Sequence, residues 1–564
     1  MAADMGYLRY DDLVARLKAI RDEAPDMVLL EELGKSPEGR IIFGCTLSLG
    51  PRAPEDKPAL LVDANVHAGE VTGSAAALYL LESLVRERSQ PEVRELLSST
   101  TLYVIPRISV DGAEAYLTGP EMLRSAKRRY PEVPLPPGWY AEDVDGDGKI
   151  LWMRWEDPLG EWTVDPEDPR LMRRRRPGQK GPFYRLMAEG VYRDEAGEVA
   201  AVYPQLRPAP SPYGLDFNRN YPAFWQPEAQ QPGAGEFPLS EPETRAVAQF
   251  IAGHKNIGAY VSLHTTGGVL LRPPSSGGDE KLSPEDRRLF QALTPYLKEL
   301  TGYPVLSTYE AFATGDDRPL VKGADDWAYE HRGILAFTLE LWDLDGRAGA
   351  RGYSQGGVKA LLALSPEERE EDEKKRLKWN DEVLQGRGFH PWRPFDHPQL
   401  GKVEIGGWDR KFVLQNPPLD PPHLLEHEGK VTRRLAEGLL GLLPRLAIPS
   451  AELKPLGEGL LQLQVTVANE GYLGTAITAQ THKALKLPGV EVEVELSPGW
   501  RSLSGPLRRD VGQLAGWGDP STPAQNAVHL RWVLQGKGPL AVKVTARHPR
   551  AGRDETRVEG VATP

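Results

Sequence analysis

Several short runs in the first 350 residues, among them 59–62, 101–108, 257–263 and 334–341, are apolar at nearly every position. A strand with no polar side has no face to offer water, so it must be covered above and below. A further run at 41–47 reads as a strand, while 72–85, 243–251 and 287–300 repeat apolar residues at helical spacing and supply the cover. The expected architecture is α/β, a largely parallel sheet between helical layers. After a last amphipathic helix near 424–443 the texture changes. Segments 461–467, 490–496, 528–534 and 540–546 alternate apolar and polar residues, separated by turns such as Asn469-Glu470-Gly471 and Pro498-Gly499. That period of two predicts a C-terminal antiparallel β-sandwich. The boundary is placed near Pro449, giving units 1–448 and 449–564. The charged run 366–381 reads as a solvated helix.

Composition narrows the function classes. The formal net charge is −12, which disfavours nucleic acid and anionic lipid as partners. No run of apolar residues is long enough to span a membrane. Cys45 is the only cysteine, so neither an intrachain disulfide nor a cysteine-based zinc site is available. The opening MAADMGYLRYDDL lacks the basic head and apolar core of a secretory signal, and a cytoplasmic setting is the expectation. Oligomeric state leaves no trace in the sequence.

The chain has 11 histidines, and two of them head an H-x-x-E pattern. His423-Leu-Leu-Glu426 opens an amphipathic helix and reads as a helix start. His67-Ala-Gly-Glu70 lies between a buried strand and a helix, at a strand's carboxyl end, where open α/β sheets bind ligands. His264 occupies the same kind of position after the run 257–263. A catalytic zinc site needs three protein ligands and one open position, and His67, Glu70 and His264 could supply the three. Glu340 stands inside an apolar strand, where an unpaired carboxylate is costly. It reads either as half of a buried ion pair or as the base that such a site requires.

Four separated blocks resemble the zinc carboxypeptidase A/B family: His67-Ala-Gly-Glu70, Gly214-Leu-Asp-Phe-Asn-Arg-Asn220, Leu263-His264, and Asp326-Trp-Ala-Tyr continuing to Phe337-Thr-Leu-Glu340-Leu. The resemblance covers roughly residues 7–345 and implies a mixed sheet of about eight strands flanked by helices. It implies one zinc ion held by His67, Glu70 and His264, with Glu340 as general base and proton donor. Asn218 and Arg219 would hold the terminal carboxylate of a peptide. Arg124, twelve residues after the Asp111-Gly112 turn, would stabilise the oxyanion, with Arg154 and Arg173–Arg176 as competitors for that role. Asp325 takes the position that tunes side-chain preference, and an acid there resembles members that remove Lys or Arg.

The chain departs from that pattern in two further ways. Residues 127–211 form a connection much longer than the family's usual one. The tyrosine expected nine residues before Trp327 is replaced by Arg318, with Tyr309 as a substitute that no spacing supports. Within the long connection, Asp143-Val-Asp145-Gly-Asp147-Gly has the start of a calcium loop. A structural calcium is expected on Asp143, Asp145 and Asp147, with Glu156 or Asp157 completing its shell. The leading expectation is a zinc-dependent carboxypeptidase acting on peptides with a free C-terminal carboxylate. The alternatives are a zinc amidase acting on peptidoglycan stems, acyl-amino acids or glutamyl tails, and an inactive module whose β-sandwich serves binding or assembly.

Overall fold

The computed structural model describes residues 5–200, 206–314, 323–519 and 525–561. An eight-stranded sheet forms the centre, in the spatial order Val28–Lys35, Ile41–Leu47, Thr101–Ile105, Ala59–Ala64, Ile257–Thr265, Leu335–Leu341, Val269–Arg272, Val305–Ser307. The four inner strands run parallel. The pairs toward the two edges include antiparallel ones, so the sheet is mixed. Every residue of Ala59–Ala64 and Ile257–Thr265 is buried, which is why these strands lack a polar face in the sequence.

Helix Val71–Arg86 lies directly on this sheet, and 13 of its residues are buried. Its approach is close at Gly73, where a Cβ would stand 3.0 Å from the carbonyl oxygen of Leu263. A larger residue there would push apart the helix that follows Glu70 and the strand that carries His264. Helix His423–Leu442 packs on Val71–Arg86 in turn. Helix Pro366–Val383 buries only Asp372, Leu377 and Asn380, as its charge predicts. No helix among the described residues is long and apolar enough to cross a membrane.

The long connection is not a bare loop. Its short strands Trp152–Glu156, Trp162–Val164, Met172–Arg174 and Tyr184–Ala188 join the hairpin Phe389–His397 and Gly401–Trp408 in a separate six-stranded sheet. Strands of three to five residues are too brief for alternation to register. Pro391 and Pro394 argue against a strand at 389–397, yet Phe389–His397 is an edge strand, where proline is tolerated.

Residues from 446 onward build two four-stranded antiparallel sheets whose inner side chains, among them Leu463, Trp532, Val492 and Val544, share one core. This is the expected sandwich. Its docking onto the first unit buries polar contacts beside Leu473 and Ile477, which join the first unit's core. Arg550 donates to the carbonyl of Gly333 at 2.8 Å, to Thr481 Oγ1 at 2.9 Å and to the carbonyl of Arg332. The Asp286 carboxylate accepts from the backbone N–H of Ala479 and Gln480 and from the Tyr329 hydroxyl.

Candidate metal centre

The site grows from the carboxyl ends of the inner strands. After Ala59–Ala64 the chain turns at Asn65, which adopts a left-handed φ of 58° and donates its amide to the carbonyls of His67 and Ala68. This turn brings His67 and Glu70 to one side, under the end of the neighbouring strand Ile257–Thr265. There the Nδ1 of His67 lies 2.8 Å from Glu70 Oε1, the Nδ1 of His264 lies 2.9 Å from Glu70 Oε2, and the two ring nitrogens are 3.2 Å apart. All three residues are buried.

Two imidazole nitrogens facing each other and a carboxylate need a positive centre between them. A tetrahedral zinc with bonds of about 2.0–2.1 Å sets its ligand atoms about 3.4 Å apart, close to the spacing found. Two nitrogens and a carboxylate without thiolate suit zinc, whereas calcium and magnesium prefer oxygen donors alone. The residues therefore fit the metal. Burial alone would raise the Glu70 carboxyl, but the two histidines hold it well below the usual carboxylate range. Burial alone would lower the His264 ring, but Glu70 pushes it up to about 9. Metal binding would have to displace a proton there, which makes affinity pH-dependent.

Asp216 was not singled out by sequence reasoning. Its Oδ1 lies 3.1 Å from His67 Nε2, on the far side of the ring from Glu70. Its Oδ2 accepts from Arg124 Nε at 2.8 Å, and Arg219 Nε lies 3.8 Å away. Asp216 also caps the single turn Phe217–Arg219, accepting from the Asn218 N–H at 2.9 Å. One carboxylate thus contacts the His67 ring and gathers two guanidinium groups. The signal that could have found it is its place in Gly214-Leu-Asp-Phe-Asn-Arg, two residues before Asn218.

Arg124 reaches the metal set, with Nη1 3.7 Å from Glu70 Oε1. Its competitors lie elsewhere: Arg154 pairs with Glu404, Arg174 and Arg175 stack on Trp162 and Phe183, and Arg176 pairs with Glu370. Asn218 Oδ1 accepts from the N–H of Ala324 at 2.9 Å, which ties it to the first turn of helix Ala324–Arg332. Asp325, in that same turn, is buried. Glu340 stands directly across from His264 in the parallel register. Burial raises its carboxyl to about 7, with Glu70 and Asp325 adding to the rise and His264 and Arg124 opposing it.

Arg318 lies outside the described residues. Tyr309 sits on the short helix Thr308–Phe312, where its N–H donates to Pro274. The tyrosine whose hydroxyl feels the charge of Glu340 is instead Tyr353, raised by burial first and by Glu340 next.

The calcium expectation finds no support. Asp143, Asp145 and Asp147 do converge, but Arg393 supplies the positive charge, at 3.0 Å from Asp145 and 2.8 Å from Asp147. Asp143 accepts from the N–H groups of Gly146 and Gly148. Asp157 is engaged by Arg185, and Glu156 accepts from the Tyr184 hydroxyl. The segment is an arginine-clamped turn.

Residues 13–349 match the profile of the zinc carboxypeptidase family. The chain belongs to the zinc carboxypeptidase family. Carboxypeptidase B of Rattus norvegicus is 24% identical over 346 residues, covering 60% of this chain and 63% of that protein. Carboxypeptidase B of Canis lupus familiaris is 25% identical over 352 residues, covering 61% and 64%. The match therefore spans less than two thirds of these relatives' length. Among solved structures, thrombin-activatable fibrinolysis inhibitor aligns at 18% identity with a TM-score of 0.39, over 67% of this chain and 75% of the other. Residues 445–559 match a domain family of unknown function. In this zinc carboxypeptidase family chain, the helix Pro366–Val383 and the hairpin 389–408 lie beyond the end of the family match.

Proposed function

We propose that the protein is a zinc-dependent carboxypeptidase that removes the last residue of peptides with a free C-terminal carboxylate. The observation that carries this reading is the grouping of Arg124 and Arg219 on Asp216, beside the His67–Glu70–His264 set and facing Glu340. Zinc bound at that set would polarise the scissile carbonyl and acidify a water. Arg219, with Asn218 beside it, is suited to take the substrate's terminal carboxylate through its guanidinium fork. Arg124 meets the negative charge that develops on the carbonyl oxygen. Glu340, with its carboxyl raised towards neutral pH, takes a proton from the attacking water and returns it to the leaving amine.

Asp325 supplies a buried negative charge next to the Asn218–Ala324 contact, and supports a preference for C-terminal Lys or Arg. The test is hydrolysis of a peptide library with varied last residues, read by mass spectrometry. Loss of single C-terminal residues that stops with chelator and returns with zinc is expected. Lys and Arg should lead, and Asp325→Asn should level that order. Absence of cleavage by protein shown to hold zinc would overturn the reading.

A further inference from the structure

A cavity of about 470 Å³ lies past the end of the strand that carries His264. Its rim on that side is Thr266 and Gly267, the residues that follow His264 and Thr265, together with Tyr353. Its walls come from outside the central sheet. Trp152 and Trp162 belong to the strands of the long connection, and Trp392 and Trp408 to the hairpin beyond the family match. Leu344 and Met172 add to the apolar lining.

Most charged groups of this lining are engaged within the wall. Asp345 is paired with Arg376, Arg376 also reaches Glu373, and Glu373 accepts from the Trp408 indole N–H at 3.2 Å. Asp343 accepts from Ser354 and from the Gly346 N–H. The Trp392 indole N–H donates to the carbonyl of Arg170 at 2.9 Å. Arg376 thus neutralises Asp345 and Glu373, while Asp343 is held by neutral donors. What the cavity offers is tryptophan and leucine surface, in a volume within the usual range of about 300–1,000 Å³ for ligand pockets.

We infer that this cavity receives a bulky apolar or aromatic side chain of the peptide, at the position just before the scissile bond. The inference rests on the carboxypeptidase reading. If Asn218, Arg219 and Asp325 take up the last residue, the preceding side chains must leave the metal set by another exit. The lining at Thr266–Gly267, just past the end of the strand that carries His264, is such an exit. The six-stranded sheet is then a specificity device, made from the long connection and the 389–408 hairpin.

The experiment uses the full chain with zinc and N-acetylated tripeptides with a fixed last residue, carrying Trp, Leu or Gly before it. The Trp peptide should be cleaved with a kcat/KM at least about tenfold above the Gly peptide. Trp152→Ala, which removes a wall, and Met172→Trp, which fills the space, should each bring that ratio to within about threefold. A ratio is independent of the fraction of folded enzyme, so poor folding of one variant cannot mimic the result. Cleavage with a ratio near one, or a ratio unchanged in both variants, overturns the inference and leaves the carboxypeptidase reading standing. If no peptide is cleaved, that reading fails, and binding of N-acetyl-tryptophan amide by saturation-transfer NMR decides. Transfer that is lost in Met172→Trp supports the cavity, and no transfer to the amide with the unsubstituted chain overturns it.

Discussion

The Nε2 of His67 lies 3.1 Å from Oδ1 of Asp216, across a gap of 149 residues in the chain. The same ring presents its Nδ1 to Glu70 and His264. A carboxylate behind a ligating imidazole fixes the tautomer and raises the basicity of the nitrogen that faces the metal.

Asp216→Asn should therefore weaken zinc affinity by about 10- to 100-fold while leaving all three ligands in place. Competition against a chromophoric chelator measures it. An unchanged affinity would mean that Asp216 serves only the two arginines.

Glu340→Gln keeps the volume of the side chain and removes its basicity. A fall in kcat of about 10²- to 10⁴-fold is expected, with zinc content by elemental analysis still near one per chain. A variant that loses zinc and activity together would place Glu340 in the ligand set instead.

Replacing Arg219 by Lys keeps the charge and loses the planar fork. KM should rise by about tenfold or more for peptides ending in a free carboxylate. Peptides with an amidated end, expected to be poor substrates of the unsubstituted enzyme, should change little. Equal losses on both substrates would sink the carboxylate-anchor role.

The docked β-sandwich should carry its own pH dependence. Burial, helped by the nearby Arg550 guanidinium and opposed by Asp510, lowers the His548 ring to about 4. Its Nδ1 accepts from the Arg550 N–H at 3.1 Å, a bond only the neutral ring can accept. Between pH 6.5 and 4 the unfolded chain then binds a proton that the folded chain refuses. Stability should fall as pH drops through that window, by about 3 kcal/mol in total from this residue. Urea unfolding of the parent and of His548→Gln across pH 4–7 checks it, since their difference should not vary with pH if the ring titrates normally.

Much of this architecture is legible in the residues. Strands 59–64 and 257–265 announce themselves because burial on both faces removes every polar position. His67 and His264 stand out because each stands at the carboxyl end of such a strand. The six-stranded sheet is hidden, since four of its strands are short and its two halves meet through partners remote in sequence, as with Arg154 and Glu404. Asp216 is hidden for another reason: a single acid in a loop carries no periodicity, and its value lies in His67 and Arg124, which only folding brings to it. The acidic repeat at 143–147 misleads because its counter-charge, Arg393, is remote in sequence.

Arg550 holds the last carbonyls of helix Ala324–Arg332, at Arg332 and Gly333. The opposite end of that helix, nine residues long, gives Ala324 to Asn218 and places Asp325 beside the site. The helix is in effect a strut with one foot in each unit. A chain cut near Pro449 would keep every residue assigned to catalysis and lose the anchor of the element that steadies two of them, so the sandwich is part of the site's foundation.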